Sequence, residues 1–381
     1  MLPSKPELRG TIGAVASTHW LASSAAMRIL ANGGNAFDAA VAAGFVLQVV
    51  EPHFNGPGGD VSILAHQAGH DDVQEICGQG PMPQAADIKA FERLGLSSIP
   101  GSGLLPACVP GAFGGVDAAA LRVRDYAPRR CPRTGDRLRV GRLPAAPRNS
   151  TGHHHARPAV PGRVVRIRPG LPHQRPGPRG RQPVRNPTLA QTYQRLLKTA
   201  ESASPDREAQ IEAARYAFYQ GFVAQEISDF LASGPMLDAT GLRNRALLTG
   251  EDLARWEPTV QAATSRAYGP HQVFKPGPWS QGPVFLQQIA LLEGFDLPAM
   301  GQGSADYLHT VVECTKLAMS DREAWYGDPA FSDVPLDTLL GEEYTRQRRA
   351  LVGDSAVLTL RPGSPDGRTP FIPSLPHAGR H

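Results

Sequence analysis

The spacing of hydrophobic and polar positions predicts a strand, a helix and a tight turn near the start of the chain. Ile12 to Ala16 is a short apolar run that predicts a strand. Ser17 and Thr18 follow it with side-chain oxygens that can cap a helix. Gly33 and Gly34 then end that helix, because glycine readily adopts the left-handed conformation of a C-terminal cap.

A second helix and a glycine-rich loop follow this turn. Asn35 is a favourable N-cap residue, and Asp38 stands three positions later, which is the spacing of a capping box. The loop EPHFNGPGGD, from Glu51 to Asp60, precedes an apolar run at Val61 to Ala65 that predicts a strand. Because the loop lacks the GK[ST] ending of a phosphate-binding loop, we expect a tight turn.

Helical periodicity dominates the second half of the chain. Val273 and Phe274 are strand-like and run into a proline-rich loop, PGPWSQGP. Thr249 has capping-box spacing to the acid three residues later, and Ser304 caps the longest predicted helix. The predicted helices cover Pro187 to Lys198, Arg207 to Ser233, Val284 to Glu293, and Ser304 to about Tyr326. Strands combined with many long helices indicate a layered α/β or α+β domain.

The composition indicates a folded protein without a membrane span. Hydrophobic residues make up 41% of the 381 residues, which is enough for a buried core. The most apolar run, Ala36 to Val50, is shorter than a membrane span and contains Asp38 and Gln48. The residues MLPSKPELRG contain no apolar signal-peptide core, and the four cysteines lack metal or disulfide spacing. We therefore expect no membrane partner, no metal site, separate thiols and a cytoplasmic location.

One segment differs sharply in charge from the rest of the chain. From Ala127 to Arg185 there are 15 Arg, 11 Pro, 4 His, no Lys and a single acid, Asp136. This window has a net charge of +14, which leaves −10 for the other residues of a chain whose total is +4. An acidic protein therefore contains a strongly basic insert.

Four interpretations of this insert remain open. Its arginines could bind nucleic-acid phosphates, its prolines and glycines are typical of a disordered linker, and His153, His154 and His155 could contribute to a metal site. The fourth interpretation is an altered reading frame, because GC-rich codons read out of frame yield Arg, Pro, Gly, Ala and His. We favour the altered frame, and we expect no nucleic-acid partner and no packing of this window into a core.

Six motifs, in one order, resemble the gamma-glutamyltransferase family. The first, GGNAFDAAVAAGFVLQVVEPHFNGPGGD, runs from Gly33 to Asp60, and the second is VPGAFGG at Val109 to Gly115. The others are NPTLAQTYQRL (Asn186 to Leu196), LTGEDLARWEP (Leu248 to Pro258), LLEGFDL (Leu291 to Leu297) and DREAWYGDPAFSDVP (Asp321 to Pro335). Each motif alone would be weak, but six in register are specific.

The resemblance implies an α+β fold of the N-terminal-nucleophile hydrolase type, an αββα sandwich made as a precursor that cuts itself into two subunits. We expect this chain to be an incomplete sandwich that corresponds to the large subunit only. The expected parts are large-subunit sequence at 1–121 and 186–370, an aberrant segment at 122–185 and an aberrant tail at 371–381. The expected partner is the small subunit of the same precursor, and the resemblance implies no cofactor.

The resemblance also implies that the nucleophile is a threonine at the start of the small subunit, with its own freed amine as the base. The family places this threonine in a Thr-x-His/Tyr-x-x-Val-Val-Asp context. No threonine of this chain, including Thr359 and Thr369, stands in that context. We therefore predict no catalytic residue within the chain and expect it to be inactive alone.

Candidate substrate-binding residues lie in two segments. In the family, an arginine in an Arg-Glu-x-Ala-Pro motif grips the α-carboxylate of the glutamyl group, and the corresponding stretch here is ICGQGP. It places Cys77 at the arginine and Gly78 at the acid, and a thiol cannot form the bidentate pair that arginine forms with a carboxylate. A Trp in a proline-rich loop either lines a pocket or simply packs. The predicted substrate-binding residues are Cys77, Gly78, Gln79, Trp279 and Gln281.

The predicted function is acyl transfer from a small-molecule amide, by a truncated large subunit of a gamma-glutamyltransferase-like hydrolase. Two alternatives remain open. One is a subunit of a cephalosporin-acylase-like amidase. The other is a non-enzymatic pseudo-subunit whose basic insert binds nucleic acid.

Overall fold

The computed structural model describes residues 9–121 and 186–372 of the protein. The predicted aberrant segment at 122–185, which contains the three adjacent histidines, lies outside the described residues, as does nearly all of the predicted tail at 371–381. The four interpretations of the insert therefore stay predictions. The described residues combine helices with small sheets, which confirms the mixed class expected from the hydrophobic pattern.

The helices of the described residues are α1 (Trp20–Ala31), α2 (Ala36–Val50), α3 (Ile88–Arg93), α4 (Ala112–Leu121), α5 (Pro187–Ala203), α6 (Arg207–Tyr219), α7 (Phe222–Ala232), α8 (Gly250–Arg255), α9 (Gly282–Leu292), α10 (Leu297–Met300), α11 (Ala305–Trp325), α12 (Leu336–Leu339) and α13 (Glu342–Arg349). The strands are β1 (Val61–His66), β2 (Val73–Gly78), β3 (Met236–Leu237), β4 (Arg243–Asn244), β5 (Thr259–Ala262), β6 (Thr264–Tyr268) and β7 (His271–Lys275). No helix in these ranges is long and apolar enough to cross a membrane.

Capping contacts begin several helices where the sequence predicts. Asn35 Oδ1 accepts a hydrogen bond from Asp38 N at 2.9 Å at the start of α2. Thr249 and Asp252 form the predicted capping box at α8, and Ser304 Oγ accepts a backbone N–H at 3.1 Å at the start of α11. These side chains satisfy N–H groups that have no partner within the helix, so the boundaries follow from local chemistry.

The N-terminal segment differs from the prediction in two respects. Ile12 to Ala16 is not a strand: none of the described strands pairs with it, and Ile12 is 59% exposed. The cap of α1 is His19 rather than Ser17 or Thr18, because His19 Nδ1 accepts the N–H of the second helical residue at 3.2 Å. Ser17 Oγ instead donates to the His19 carbonyl oxygen at 2.8 Å.

The helical stretch predicted over Arg207 to Ser233 is two helices, α6 and α7, separated at Gly221. The backbone N–H groups of Gln220 and Gly221 both donate to Tyr216 O at 2.8 Å. A Cβ atom on Gly221 would lie 2.8 Å from Ala217 Cα, so a residue with a side chain would have to push the two segments apart.

The described residues divide into two compact units. The first contains the described residues within Met1–Val61 and Cys77–Pro258, and the second contains those within Ser62–Ile76 and Thr259–His381.

The first unit has a helical core that supports the start of α4. The rings of Phe113 and Phe218 stack with their centroids 4.3 Å apart, and Phe45 meets Phe113 edge-on at 6.1 Å. Aromatic pairs in these geometries stabilise a core beyond the area they bury. The buried members of the core are Val109, Phe113, Leu196, Ala200, Ala214, Ala217, Phe218, Tyr219, Ala224, Leu248 and Leu253.

The second unit combines small sheets with the pair α9 and α11. Strands β1, β2 and β5 form a sheet in the order β1-β2-β5. Strands β6 and β7 form an antiparallel hairpin whose register runs from Thr264 opposite Lys275 to Tyr268 opposite His271. The core under the helices consists of Val284, Leu291, Cys314, Leu317 and Ala318.

A buried ion pair anchors the last described segment to α11. Asp321 is completely buried, and its carboxylate lies 3.0 Å from a guanidinium nitrogen of Arg348. The same carboxylate accepts from Gly363 N at 2.7 Å and from Gln287 Nε2 at 2.6 Å. Burial raises the pKa of Asp321, and the positive charge of Arg348 opposes this rise. The donors therefore offset a large desolvation penalty.

Replacing Arg348 by methionine should destabilise the protein by about 3–5 kcal/mol, because the substitution leaves the Asp321 charge buried without its counterion. The matched control is Arg346→Met, which breaks an exposed pair with Glu343 and should cost less than about 1 kcal/mol. Urea unfolding of both variants measures the difference. Equal losses would show that the buried pair is no more important than the exposed one.

Candidate functional site

The segment Cys77, Gly78 and Gln79 lies at the end of β2, where backbone packs directly against backbone. Gly78 is buried, and a Cβ atom there would lie 2.9 Å from Val61 O and 3.0 Å from Gly115 Cα. Real Cβ atoms do not approach backbone this closely, so only glycine fits without displacing its neighbours. The geometry fixes the backbone on either side of the position predicted to meet the substrate.

The VPGAFGG turn forms the second wall of this arrangement. Gly111 N and Ala112 N both donate to Gly59 O, at 2.9 and 2.8 Å, which joins the turn to the glycine-rich loop after α2. A Cβ atom on Gly111 would lie 2.1 Å from Gly78 O. Three glycine-bearing segments therefore meet at the end of β2.

The hydroxyl of Tyr219 holds the turn to the helical core. It donates to Pro110 O at 2.7 Å and accepts from Gly114 N at 3.0 Å. Burial is the largest cause that raises the pKa of Tyr219 above its ordinary value, so the phenol stays protonated and keeps its donor. Both polar atoms of the turn are thus satisfied inside an apolar environment.

Gln79 and Asp60 give the site a polar edge, and Asp60 supplies its negative charge. Gln79 is exposed, and its Nε2 donates to Asp60 Oδ2 at 2.9 Å. Partial burial of the nearby Cys108 thiol and, second, the negative charge of Asp60 raise the pKa of Cys108. The charged side chain that contacts Gln79 is therefore an acid, Asp60. The family pattern instead has a carboxylate-binding arginine at the position of Cys77.

Trp279 and Gln281 lie in the second unit, on the loop between β7 and α9. Ser280 closes this loop: its N and Oγ donate to Gly277 O at 3.0 and 2.9 Å, and its Oγ accepts from Gly282 N at 2.9 Å. Trp279 is half-buried and Gln281 is exposed. The predicted residues thus form one group at the end of β2 and another on this loop.

Three residues of these segments were not predicted as site residues from the sequence: Asp60, Glu75 and Tyr219. Asp60 is the last residue of the glycine-rich loop, and Glu75 is the one acid of β2, between Gln74 and Ile76. An acid inside a strand indicates either an exposed face or a buried charge with hydrogen-bond donors, and only the tertiary structure distinguishes the two. Within the described ranges, no group of three His, Cys, Asp or Glu side chains could hold a metal ion.

Comparison with known proteins identifies the family. The profile of the family described as gamma-glutamyltranspeptidase matches residues 22–123 and 171–371, which is more than half of the chain. The chain belongs to the gamma-glutamyltranspeptidase family. The match leaves residues 124–170 unmatched, and these overlap the basic insert.

Several gamma-glutamyltranspeptidase relatives and structural neighbours are similar over most of this chain. The glutathione hydrolase-like YwrD proenzyme of Bacillus subtilis (strain 168) is 31% identical over 91% of the chain and 61% of its own length. The solved structure of LmbA2991T421A is 41% identical to this chain with a TM-score of 0.80, and the match covers 98% of this chain and 63% of that one. Cephalosporin acylase from Bacillus halodurans is 25% identical with a TM-score of 0.63, covering 95% and 64%. The chain therefore spans less than two thirds of each of these proteins.

Replacing Gly111 by alanine should lower the free energy of unfolding by about 1–3 kcal/mol or more, because the new methyl group would collide with the backbone of Gly78. Gly56→Ala is the matched control in the neighbouring loop, since nothing lies within 4 Å of a Cβ atom there. It should change stability by less than about 1 kcal/mol. Chemical denaturation of the two variants tests the close packing, and indistinguishable midpoints would contradict it.

Proposed function

We propose that residues 1–381 form the large-subunit part of an amide hydrolase or acyltransferase of the gamma-glutamyltranspeptidase family. The observation that carries the proposal is the family match on both sides of the basic insert. The end of β2 and the VPGAFGG turn pack backbone against backbone at their glycines. This packing provides the rigid support that a substrate site requires. The name proenzyme of the Bacillus subtilis relative supports a precursor that matures by cleavage.

The proposed chemistry is acyl transfer through a threonine that a small subunit contributes. The threonine hydroxyl attacks the amide carbonyl, and its own α-amine accepts the hydroxyl proton. The amine product leaves with that proton, and water or an amino acceptor then releases the acyl group. None of the 381 residues places a threonine in the family's nucleophile context, so we propose that the chain acts only in a complex.

The proposed substrate class is an amide whose acyl group has no free α-carboxylate. Cys77 stands where the resemblance places an arginine, and the nearby Gln79 is bonded to Asp60. A negative charge at this edge repels a carboxylate instead of pairing with it. Glutathione and other γ-glutamyl compounds are therefore poor substrates in this proposal.

A cephalosporin-acylase-like amidase is the second candidate function. Its support is the likeness to cephalosporin acylase from Bacillus halodurans, at a TM-score of 0.63. The mechanism would be the same acyl transfer, with a different acyl group.

Complementation tests the need for a small subunit. The chain alone should show no turnover of acyl amides, whereas co-expression with the C-terminal part of LmbA2991 that this chain does not match should produce activity. The same partner with alanine in place of the proposed threonine nucleophile serves as the control and should remain inactive. Turnover by the purified chain alone, at the rate of the complex, would overturn the proposal.

The substitution Cys77→Arg tests the substrate class in the same complex. A restored charge-assisted contact is worth about 1.5–3 kcal/mol, so KM for a γ-glutamyl anilide should fall about tenfold to a hundredfold. Cys77→Ser is the matched control, because it changes the thiol without adding charge, and it should leave KM unchanged. Robust and equal turnover of the anilide by the wild-type and arginine forms would refute the predicted substrate class.

A further inference from the structure

Glu75 is a completely buried carboxylate in the middle of β2. Its Oε2 atom accepts two hydrogen bonds, from Gly277 N at 2.9 Å and from Gln261 Nε2 at 2.9 Å. Among the described residues, no donor reaches the buried Oε1 atom. Glu75 therefore directs its hydrogen bonding to one strand, β5, and one loop, which begins at Gly277.

The loop that Glu75 holds carries Trp279 and Gln281. Gly277 is buried, and a Cβ atom on it would lie 3.1 Å from Gln261 Nε2 and 3.3 Å from Trp279 Nε1. The amide of Gln261 and the indole thus crowd around the backbone of the residue that Glu75 binds. Because Ser280 closes the rest of the loop onto Gly277 O, a fixed Gly277 fixes the position of the whole loop.

Stability alone does not account for a glutamate at this position. Burial raises the pKa of Glu75, and the hydrogen bonds from Gln261 and Gly277 only partly oppose this rise. A buried carboxylate with one oxygen unpaired carries a desolvation penalty that an apolar side chain of similar size would avoid. The compensating benefit is a directional contact, since a carboxylate oxygen binds the Gly277 N–H in one place whereas an apolar group would leave that N–H unsatisfied.

We propose that Glu75 is a positioning residue that holds the Pro276–Pro283 loop of the second unit, so that the predicted substrate-binding residues Trp279 and Gln281 keep the positions in which they bind the acyl group. This inference rests on the proposed function and on the sequence prediction that Trp279 and Gln281 bind the substrate. Glu75 acts through Gly277 and does not touch the reacting atoms.

The loop contact is measured first on the chain alone, by acrylamide quenching of Trp279 fluorescence. The Trp279→Phe variant supplies the signal of the other three tryptophans, which is subtracted. Glu75→Leu removes the oxygen atom that accepts both hydrogen bonds and should raise the Trp279 quenching constant about twofold or more. Glu75→Gln keeps one carbonyl oxygen for the two donors without the charge, and it should resemble the wild type.

The control variant is Glu343→Leu, which removes an exposed acid of the same unit and should leave quenching unchanged. If Glu75→Leu does not fold, Glu75→Met replaces it with a side chain closer in length. Unchanged quenching in the folded leucine or methionine variant would show that Glu75 does not hold the loop, and would overturn the proposal.

The active complex then tests the role in substrate binding. Glu75→Leu should raise KM for the preferred amide about tenfold, with kcat within about threefold, because the loop contacts the acyl group and not the nucleophile. Glu75→Gln should restore KM, which a general loss of stability would not predict. An unaltered KM with altered quenching would overturn the substrate role. Quenching is measured on the chain alone and does not need an active complex. An inactive complex with the expected change in quenching would overturn the proposed function, whereas unchanged quenching would overturn the loop contact of Glu75.

Discussion

Close contact of backbone with backbone at the end of β2 is the constraint on which the first unit's candidate site depends. Gly78 and Gly111 approach so closely that a Cβ atom on either would overlap a backbone atom of another segment. The close approach lets Gly59 O receive two N–H groups from the start of α4. Because interiors are densely packed and little compressible, such a junction transmits any displacement to its neighbours. The side chains of Cys77 and Gln79 therefore stand on an unusually rigid base.

The second unit uses buried acids for a similar purpose. Glu75, Glu313 and Asp321 are all at least 98% buried, and each accepts a backbone N–H from an irregular segment. An ionised carboxylate can be buried only when donors replace the water it has lost. Each acid thereby holds a loop to a strand or helix without depending on apolar packing in that loop. Loops that must keep a defined shape at a surface gain from such contacts.

Family membership and the substrate choice that we propose rest on different residues in this protein. The family match reflects motifs that build the helices, the glycine-rich loop and the VPGAFGG turn. The acyl-binding chemistry that we propose depends instead on a few positions, such as Cys77, Gln79 and Asp60, which differ in charge from the arginine pattern of the family. Relatives named for glutathione hydrolysis and for cephalosporin acylation both match this chain. One fold can therefore carry different functions, which depend on the residues of the site built on it.

The sequence by itself determined the features that depend on neighbours along the chain. The caps at Asn35, Thr249 and Ser304, the long helix α11 and the family motifs were all readable, because a cap requires only a side chain and an N–H three residues away. The tertiary structure decided the features that depend on distant partners. Ile12 to Ala16 has strand-like residues but no pairing among the described strands, since a strand needs a neighbour to complete its hydrogen bonds. Glu75 became a candidate only when Gly277, 202 positions away, was found beside it.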